Sequence, residues 1–410
     1  LVKKSSIIMS KNIAIIHPDL GIGGAEQLIV NMALALQDSG HRVTIYTPHH
    51  DPQRAFSCTV DGGLRVEVRG SLWPRSILGK CIAFCSLIRM LLACIHVALF
   101  AGRHDYIIVD QVSAVLPVFW ITRAQVVFYC HFPDKLLCTD RGSFLKRLYR
   151  WPLDKAEEWG IRTANKVYVN SQFTRSIVEK QFPSLHKLKL DVLYPSIELS
   201  YQPVLQKPSF LKGKDFFVSL NRYERKKTIE KALLGFSQNK FSNVSLVIGG
   251  GYDPRLSENV EYFNYLTELA QKNNLSYCVV DNWEDSYPDS QVYFLRNLSN
   301  SQKEQVLQKS VCCLYTPENE HFGIVPIEAM NRGTPVIACN SGGPKETVVP
   351  GETGFLVQKD SEWGEAMNKI VKDPEFAASM GQKGLKSVHS KFSLRSFKQK
   401  LEKDLITKYC

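Results

Sequence analysis

The stretch YTPENEHFGIVPIEAM, residues 315–330, places two glutamates, Glu320 and Glu328, eight positions apart across an apolar run, with Gly323 between them. It continues the apolar run that starts at Cys312, so it reads as the end of a strand near Tyr315, a loop carrying Glu320, His321, Phe322 and Gly323, and a helix from about Ile324. Glu328 then falls on the second turn of that helix. Gly323 lets the backbone approach a ligand closely, and a new helix turns its unpaired N–H groups toward anions such as phosphate. Two carboxylates so placed are poor phosphate ligands but good acceptors for hydroxyls: one in the loop for a sugar, one a turn further in for a ribose diol.

The same strand, loop and helix alternation runs through the whole chain. Strand candidates in the first half are residues 12–18, 42–48, 106–110, 126–131, 166–171 and 191–195. In the second half they are 216–220, 244–250, 277–280, 292–295, 312–317, 335–339 and 354–357. They are short, continuous apolar runs, the pattern of strands buried on both faces, and helical patterns separate them. This predicts an α/β protein of two Rossmann-like, doubly wound parallel-sheet domains facing a cleft. The proline-rich segment 195–214 has no sustained period and marks the boundary. The predicted domains are 1–195 and 205–390. A helix in 391–410 is expected to pack back on the first domain.

With 410 residues the chain is too long for one core. Its 11 cysteines are scattered, with no C-x-x-C pair, which fits neither a disulfide framework nor a zinc site and suits a reducing compartment. No D-x-D motif occurs either, and no bound metal is expected. Residues 1–200 hold 24 Lys and Arg against 16 Asp and Glu, so most of the net +11 lies in the first half. That surplus suits an anionic partner, a phosphate-bearing ligand or a membrane surface, as well as a merely solvated face. Without interleaved aromatics it does not suit nucleic acid.

Residues 82–100, IAFCSLIRMLLACIHVALF, are apolar enough to span a membrane, but Arg89 near the middle disfavours a span. Two alternatives remain: a helix half sunk in a bilayer interface, or a crossover helix packed on a sheet. The start of the chain lacks the uninterrupted apolar core of a signal peptide.

Because ligands of open α/β sheets bind beyond the carboxyl ends of strands, the residues there are the site candidates. After the first strand, HPDLGIGGAE (17–26) exposes backbone N–H groups at Gly23 and Gly24, where a helix to about Asp38 begins. Glu26 stands where a dinucleotide fingerprint needs glycine, which argues against a nicotinamide cofactor. FYCHFPD (128–134) ends a strand at His131, with Asp134 three residues on. RGSFLKRLYR (141–150) brings Lys146, Arg147 and Arg150, which with Arg89 are candidates for an anionic acceptor head group or lipid surface. After residues 216–220, NRYERKK (221–227) offers Arg222 as a fork and Lys227 as a point charge for a diphosphate. Ser341, Gly342 and Gly343 form another uncovered loop, equally readable as an ordinary turn.

The E-x7-E pair, NRYERKK and GIGGAE together resemble the retaining glycosyltransferases of GT-B fold, over essentially the whole chain. More narrowly, HPDLGIGGAE, DQVSA, FYCHFPD, FLKRLYR, VNSQFT, VLYPS, GGGYDPR, NEHFGIVPIEAM and NSGGP resemble one eukaryotic family. It is that of the α-1,3/1,6-mannosyltransferases, which elongate the dolichol-linked N-glycan precursor on the cytosolic face of the endoplasmic reticulum membrane. The resemblance implies no tightly bound cofactor, GDP-mannose as donor and a dolichyl-diphosphate-linked Man-GlcNAc2 acceptor, with an α-1,3 and then an α-1,6 mannose added. It also implies a complex with other mannosyltransferases of the pathway as a partner state. It assigns Arg222 and Lys227 to the diphosphate, Glu320 to the mannose hydroxyls, Glu328 to the ribose, and backbone N–H groups of Phe322, Gly323, Ile324 and Val325 to the phosphates. His131 would meet the donor sugar, and the Gly23-Gly24 loop the diphosphate, with residues 1–195 facing acceptor and membrane and 205–390 binding the nucleotide sugar. Alternatives are another sugar transferase or nucleotide-sugar epimerase of the same fold, or a non-catalytic sugar-nucleotide binder.

Overall fold

The structure is a computed structural model; it describes residues 9–405 apart from 78, 80, 138–143, 200–202, 205 and 284. The chain divides into two compact units, Leu1–Ser196 with Leu394–Cys410, and Ile197–Ser393.

The first unit is built on β1 (Asn12–Ile16), β2 (Arg42–Thr47), β3 (Arg65–Val68), β4 (Tyr106–Asp110), β5 (Gln125–Cys130), β6 (Lys166–Val169) and β7 (Leu190–Val192). These form one sheet in the order β3-β2-β1-β4-β5-β6-β7, and every pairing is parallel. The order reverses between β1 and β4, which defines the switch point of the unit. β3 falls outside the strand candidates because it is a short edge strand, RVEV, with exposed ends and no apolar run.

The central strands bury both faces, as their unbroken apolar runs require. On one face, helix α1 (Gly24–Asp38) packs Leu28, Ile29, Met32 and Leu36 with Ile13, Ile15 and Ile45. The C-terminal helix Leu394–Leu405 adds Phe397, Leu401 and Leu405 to the same core. These three recur every four residues, so one stripe of an otherwise polar helix is buried. Tyr106 ties its end down by donating to the Leu405 carbonyl at 2.6 Å.

On the other face lies helix α2 (Ile82–Leu99), whose Met90, Ala93, Cys94 and Val97 join Ala14, Ile16 and Val109 in a separate core. It is long and apolar enough to cross a membrane, with a mean hydropathy of 2.2, yet it is the crossover from β3 to β4. Arg89 turns inward and not toward a lipid or an acceptor: it is buried, and its Nη2 donates to the Pro48 carbonyl at 2.6 Å. That bond pairs one of its nitrogens, while Nε, also buried, has no hydrogen-bond partner among the described residues.

The second unit carries β8 (Asp215–Leu220), β9 (Val244–Gly250), β10 (Tyr277–Val280), β11 (Val292–Arg296), β12 (Cys312–Tyr315), β13 (Val336–Cys339) and β14 (Gly354–Val357). Its sheet runs β10-β11-β9-β8-β12-β13-β14, again parallel throughout, and reverses between β8 and β12. Phe217, Leu246, Phe294 and Trp363 belong to its main core.

Burial of Leu401 is a test of the C-terminal helix as part of the first unit. Leu401→Ala is expected to cost about 2–5 kcal/mol, seen as faster amide exchange in α1 with the second unit unaltered. Unchanged exchange in α1 would refute the packing.

Candidate active site

In the second unit the site begins where β8 and β12 end side by side. The loop after β8 and the loop after β12 are laced by a reciprocal exchange: Thr228 Oγ1 donates to the Thr316 carbonyl at 2.8 Å, and Thr316 Oγ1 to the Lys227 carbonyl at 2.7 Å. This fixes the backbone of Lys227 against that of the glutamate loop. Its Nζ then lies 2.5 Å from Oε2 of Glu320, both side chains being largely covered. The cation and the carboxylate singled out in the sequence, 93 residues apart, are direct partners.

The glutamate loop is supported from below by the loop after β13. The Gly343 N–H donates to the Glu320 carbonyl at 2.8 Å, and Ser341 Oγ accepts from the Asn319 N–H at 3.0 Å. A Cβ on Gly342 would come within 2.4 Å of the Glu320 carbonyl oxygen, and one on Gly343 within 2.2 Å of that of Phe322. These glycines are therefore needed for close packing of backbone on backbone. The Ser341-Gly342-Gly343 loop is a brace.

Gly323 has φ +79° and starts the helix Ile324–Met330. Phe322 is buried with its ring 5.8 Å from that of Phe392, so this residue offers a ligand only its backbone. Ile324 and Val325 follow, half-buried, in the first turn. Glu328 accepts from Lys303 Nζ at 2.6 Å through Oε1, while its Oε2 is buried with no hydrogen-bond partner among the described residues. An unpaired buried carboxylate oxygen is costly and fits a missing donor such as a ribose hydroxyl. Arg222 is exposed, held through Nη1 by Glu224 at 3.0 Å, and stands beside the Gly251 backbone.

In the first unit the strand ends bring together His17 after β1, Asp110 at the end of β4 and His131 after β5. Asp110 Oδ2 is 2.8 Å from His17 Nδ1, and Asp110 Oδ1 is 3.0 Å from His131 Nε2. His17 and Asp110 are fully buried, and the His131 side chain is 21% exposed. Burial alone would lower the His17 pKa, but hydrogen bonds and charges of Asp110 and Glu26 outweigh it and raise it from 6.5 to about 9. Burial would raise the Asp110 pKa, but the charges and hydrogen bonds of the two imidazoles bring it from 3.8 down to about 2. Sequence reasoning singled out only His131 of this trio. The signal for the others is their position, since each also stands at the carboxyl end of a strand.

Gly23, extended, immediately precedes α1, and Gly24 opens the helix with space around it. The charged residues after His131 hold the loop in place. Asp134 Oδ2 accepts from Arg150 Nη2 at 2.6 Å, and Asp154 Oδ1 from the same nitrogen at 3.2 Å. Arg150 is buried in this cluster and not presented to an acceptor head group. Beside it, the Glu157 carboxylate accepts the Asp134 and Lys135 N–H groups at 2.7 and 3.0 Å. Arg147 is exposed on the helix Phe144–Thr163, and the side chain of Lys146 lies outside the described ones.

Two parallel α/β units, with a cation and two glutamates at the switch point of the second, define a glycosyltransferase of GT-B fold. Residues 22–201 match the family described as Glycosyltransferase Family 4, and residues 202–387 the one described as Glycosyl transferases group 1. Among solved structures the chain is similar to sucrose-phosphate synthase from Thermosynechococcus elongatus, with a TM-score of 0.75 over 97% of this chain and 99% of that one at 22% identity. Among curated proteins it is 44% identical to the alpha-1,3/1,6-mannosyltransferase ALG2 of Dictyostelium discoideum, over 95% of this chain and 96% of that protein. It is 42% identical to the protein of the same name from Mus musculus, over 98% and 97%. The chain belongs to the alpha-1,3/1,6-mannosyltransferase family, and it is an enzyme.

The buried His17–Asp110 pair makes stability pH-dependent. The stabilisation from His17, whose pKa is raised, is complete below pH 6.5 and is lost as pH rises through about 9. That from Asp110, whose pKa is lowered, is complete above pH 3.8 and is lost as pH falls through about 2. Urea unfolding from about pH 6 to about pH 9.5, which spans the His17 window, should show a decline that His17→Gln flattens. Equal slopes in both proteins would rule out the pair as its source.

Proposed function

We propose that this mannosyltransferase takes mannose from GDP-mannose and adds it twice, α-1,3 and then α-1,6, to a dolichyl-diphosphate-linked Man-GlcNAc2, giving Man3GlcNAc2. The observation that supports this is the Lys227–Glu320 pair at the β8/β12 switch point, a cation of the kind that suits phosphate in contact with a carboxylate of the kind that suits hydroxyls. Lys227 and Arg222 hold the diphosphate, with backbone N–H groups of Phe322 to Val325 and of the Gly23-Gly24 loop. Glu320 holds the mannose hydroxyls, Glu328 the ribose through its unpaired oxygen, and His131 meets the sugar being transferred. Donor binding thus replaces the Lys227–Glu320 contact with one partner for each.

The chemistry follows from where charge develops. As the glycosidic bond to GDP breaks, negative charge grows on the diphosphate, and fixed cations and N–H groups stabilise it. The acceptor hydroxyl attacks on the face GDP leaves, and the departing phosphate oxygen takes its proton. Configuration is retained without a side-chain nucleophile.

A lipid-linked acceptor requires contact with a membrane, and the first unit has a surface suited to it. Ile82, Leu99 and Phe100 on or beside α2 are exposed, as are Trp120 and Ile121 in the connection before β5 and Leu148, Trp151 and Trp159 on the helix Phe144–Thr163. The Trp120 and Trp159 rings meet edge to face at 5.3 Å. Aromatic and aliphatic side chains with basic neighbours such as Arg147 suit a bilayer interface. We place this surface on the cytosolic face of the endoplasmic reticulum. The cysteines among the described residues are free, which suits that compartment.

Membranes carrying the protein, given labelled GDP-mannose and a synthetic lipid-diphosphate-linked Man-GlcNAc-GlcNAc, should yield a Man3 product cleaved by both α-1,3- and α-1,6-specific mannosidases. Consumption of another nucleotide sugar with no mannose transfer would reject donor and product together. Glu320→Ala and Lys227→Ala should each abolish transfer in a folded protein, by about a hundredfold or more. Trp120→Glu with Trp159→Glu should weaken flotation with phosphatidylcholine vesicles while leaving GDP binding intact. Undiminished flotation would place the membrane contact elsewhere.

A further inference from the structure

Building on the assignment of His131 to the transferred sugar, we propose that Glu26, His17 and Asp110 form a buried positioning relay that fixes the ring of His131. Asp110 directs one carboxylate oxygen to each of two imidazoles: Oδ2 hydrogen-bonds His17 Nδ1 at 2.8 Å, and Oδ1 lies at ion-pair distance, 3.0 Å, from His131 Nε2, neither of these last two atoms having a hydrogen-bond partner among the described residues. On its far side, His17 Nε2 lies 3.7 Å from Glu26 Oε1. The middle of this series is dry, with His17 and Asp110 at 0% exposure, while both its ends reach solvent: Glu26 and His131 side chains are each 21% exposed.

The strand register produces this arrangement. Ile16 pairs with Val109 and Asp110 with Tyr129, so the residues at the ends of β1, β4 and β5 meet across the centre of the sheet. Tyr129 closes one side of His131, with ring centroids 4.9 Å apart, and is itself anchored by its hydroxyl on the Leu193 carbonyl at 2.8 Å. Stability alone does not call for such charges, because well-packed apolar residues replace buried ion pairs at little or no cost. A carboxylate held against one ring nitrogen of a histidine does something apolar groups cannot. It keeps hydrogen on that nitrogen, sets the ring rotamer, and leaves the other nitrogen for a ligand. In His131 the held atom is Nε2, so Nδ1 is the atom offered to a sugar hydroxyl.

The relay also gives Glu26 a function. Its carboxylate folds back over the start of α1, and a Cβ on Gly23 would come within 2.3 Å of Oε2. The glycine loop therefore leaves room for the carboxylate that pairs with His17. This is why a glutamate stands where a dinucleotide-binding loop would have its last glycine.

The test is a mutant cycle read as kcat and KM, together with the 15N shifts of the His131 ring. Asp110→Asn should lower kcat about 10–100-fold with KM for GDP-mannose within about threefold. His17→Gln/Asp110→Asn removes both buried charges, so it spares the fold, and it should match Asp110→Asn. In a His131→Ala background, Asp110→Asn should change the residual kcat by less than about threefold, since the two act through one ring. The 15N shifts should report a single tautomer with hydrogen on Nε2, replaced in Asp110→Asn by a mixture. Full multiplicative loss in the His131→Ala background, or an unaltered tautomer in Asp110→Asn, overturns the relay while leaving His131 at the sugar. A His131→Ala enzyme with the parent kcat overturns that assignment itself, and the relay with it.

Discussion

The contact between Lys227 and Glu320 depends on a property of the sheet more than on either side chain. In a doubly wound sheet the strands on either side of the switch point send their loops in opposite directions, which opens a crevice between them. β8 and β12 are those strands, and the exchange of hydroxyl-to-carbonyl bonds between Thr228 and Thr316 keeps their loops in register. With the backbones fixed, a lysine from one loop must meet a glutamate from the other. The braces from Gly342 and Gly343 then remove the remaining freedom of the glutamate loop.

The first unit repeats the geometry with other chemistry. Its switch point, between β1 and β4, carries His17 and Asp110 at the corresponding strand ends. Here the charges are dry and coupled: against burial, Asp110 and Glu26 raise the pKa of His17, while His131 and His17 lower that of Asp110. In the second unit Lys227 and Glu320 stay partly solvated. Partial solvation suits the proposal that this pair separates to admit a ligand, because breaking a deeply buried pair would leave unpaired charges in a low dielectric. A pair that only orients a neighbour can be deeply buried.

Much of this was legible in the sequence because both sheets are buried on both faces, and continuous apolar runs then show each strand directly. The start of α1 at Gly24 and of the helix at Ile324 were legible because glycine precedes a periodic apolar pattern in both. Exposed edge strand β3 was not, since RVEV has neither a long run nor a hydrophobic face. Arg150 and Arg89 look alike in sequence to a ligand-binding arginine. What separates them from Arg222 is burial and partner: one lies in an aspartate cluster and one on a backbone carbonyl, while Arg222 is open. Those are long-range facts with no local signature. The trio of His17, Asp110 and His131 was hidden for the same reason, being assembled from three strands.

Helix α2 shows how one composition can serve two environments. A soluble crossover helix needs one apolar stripe, and a spanning helix needs apolar residues all round. α2 has more apolar surface than its sheet can cover: Met90, Cys94 and Val97 are spent on the core, while Ile82 and Leu99 remain outside. Arg89 favours the first, because it is buried in the folded unit with Nη2 on the Pro48 carbonyl, even though its Nε has no hydrogen-bond partner among the described residues. Drawn into a bilayer as a span, α2 would lose that partner and strip the sheet of half its cover. An apolar outer face on a helix fixed from within also suits the bilayer contact proposed above, in which α2 would lie against the interface and not cross it.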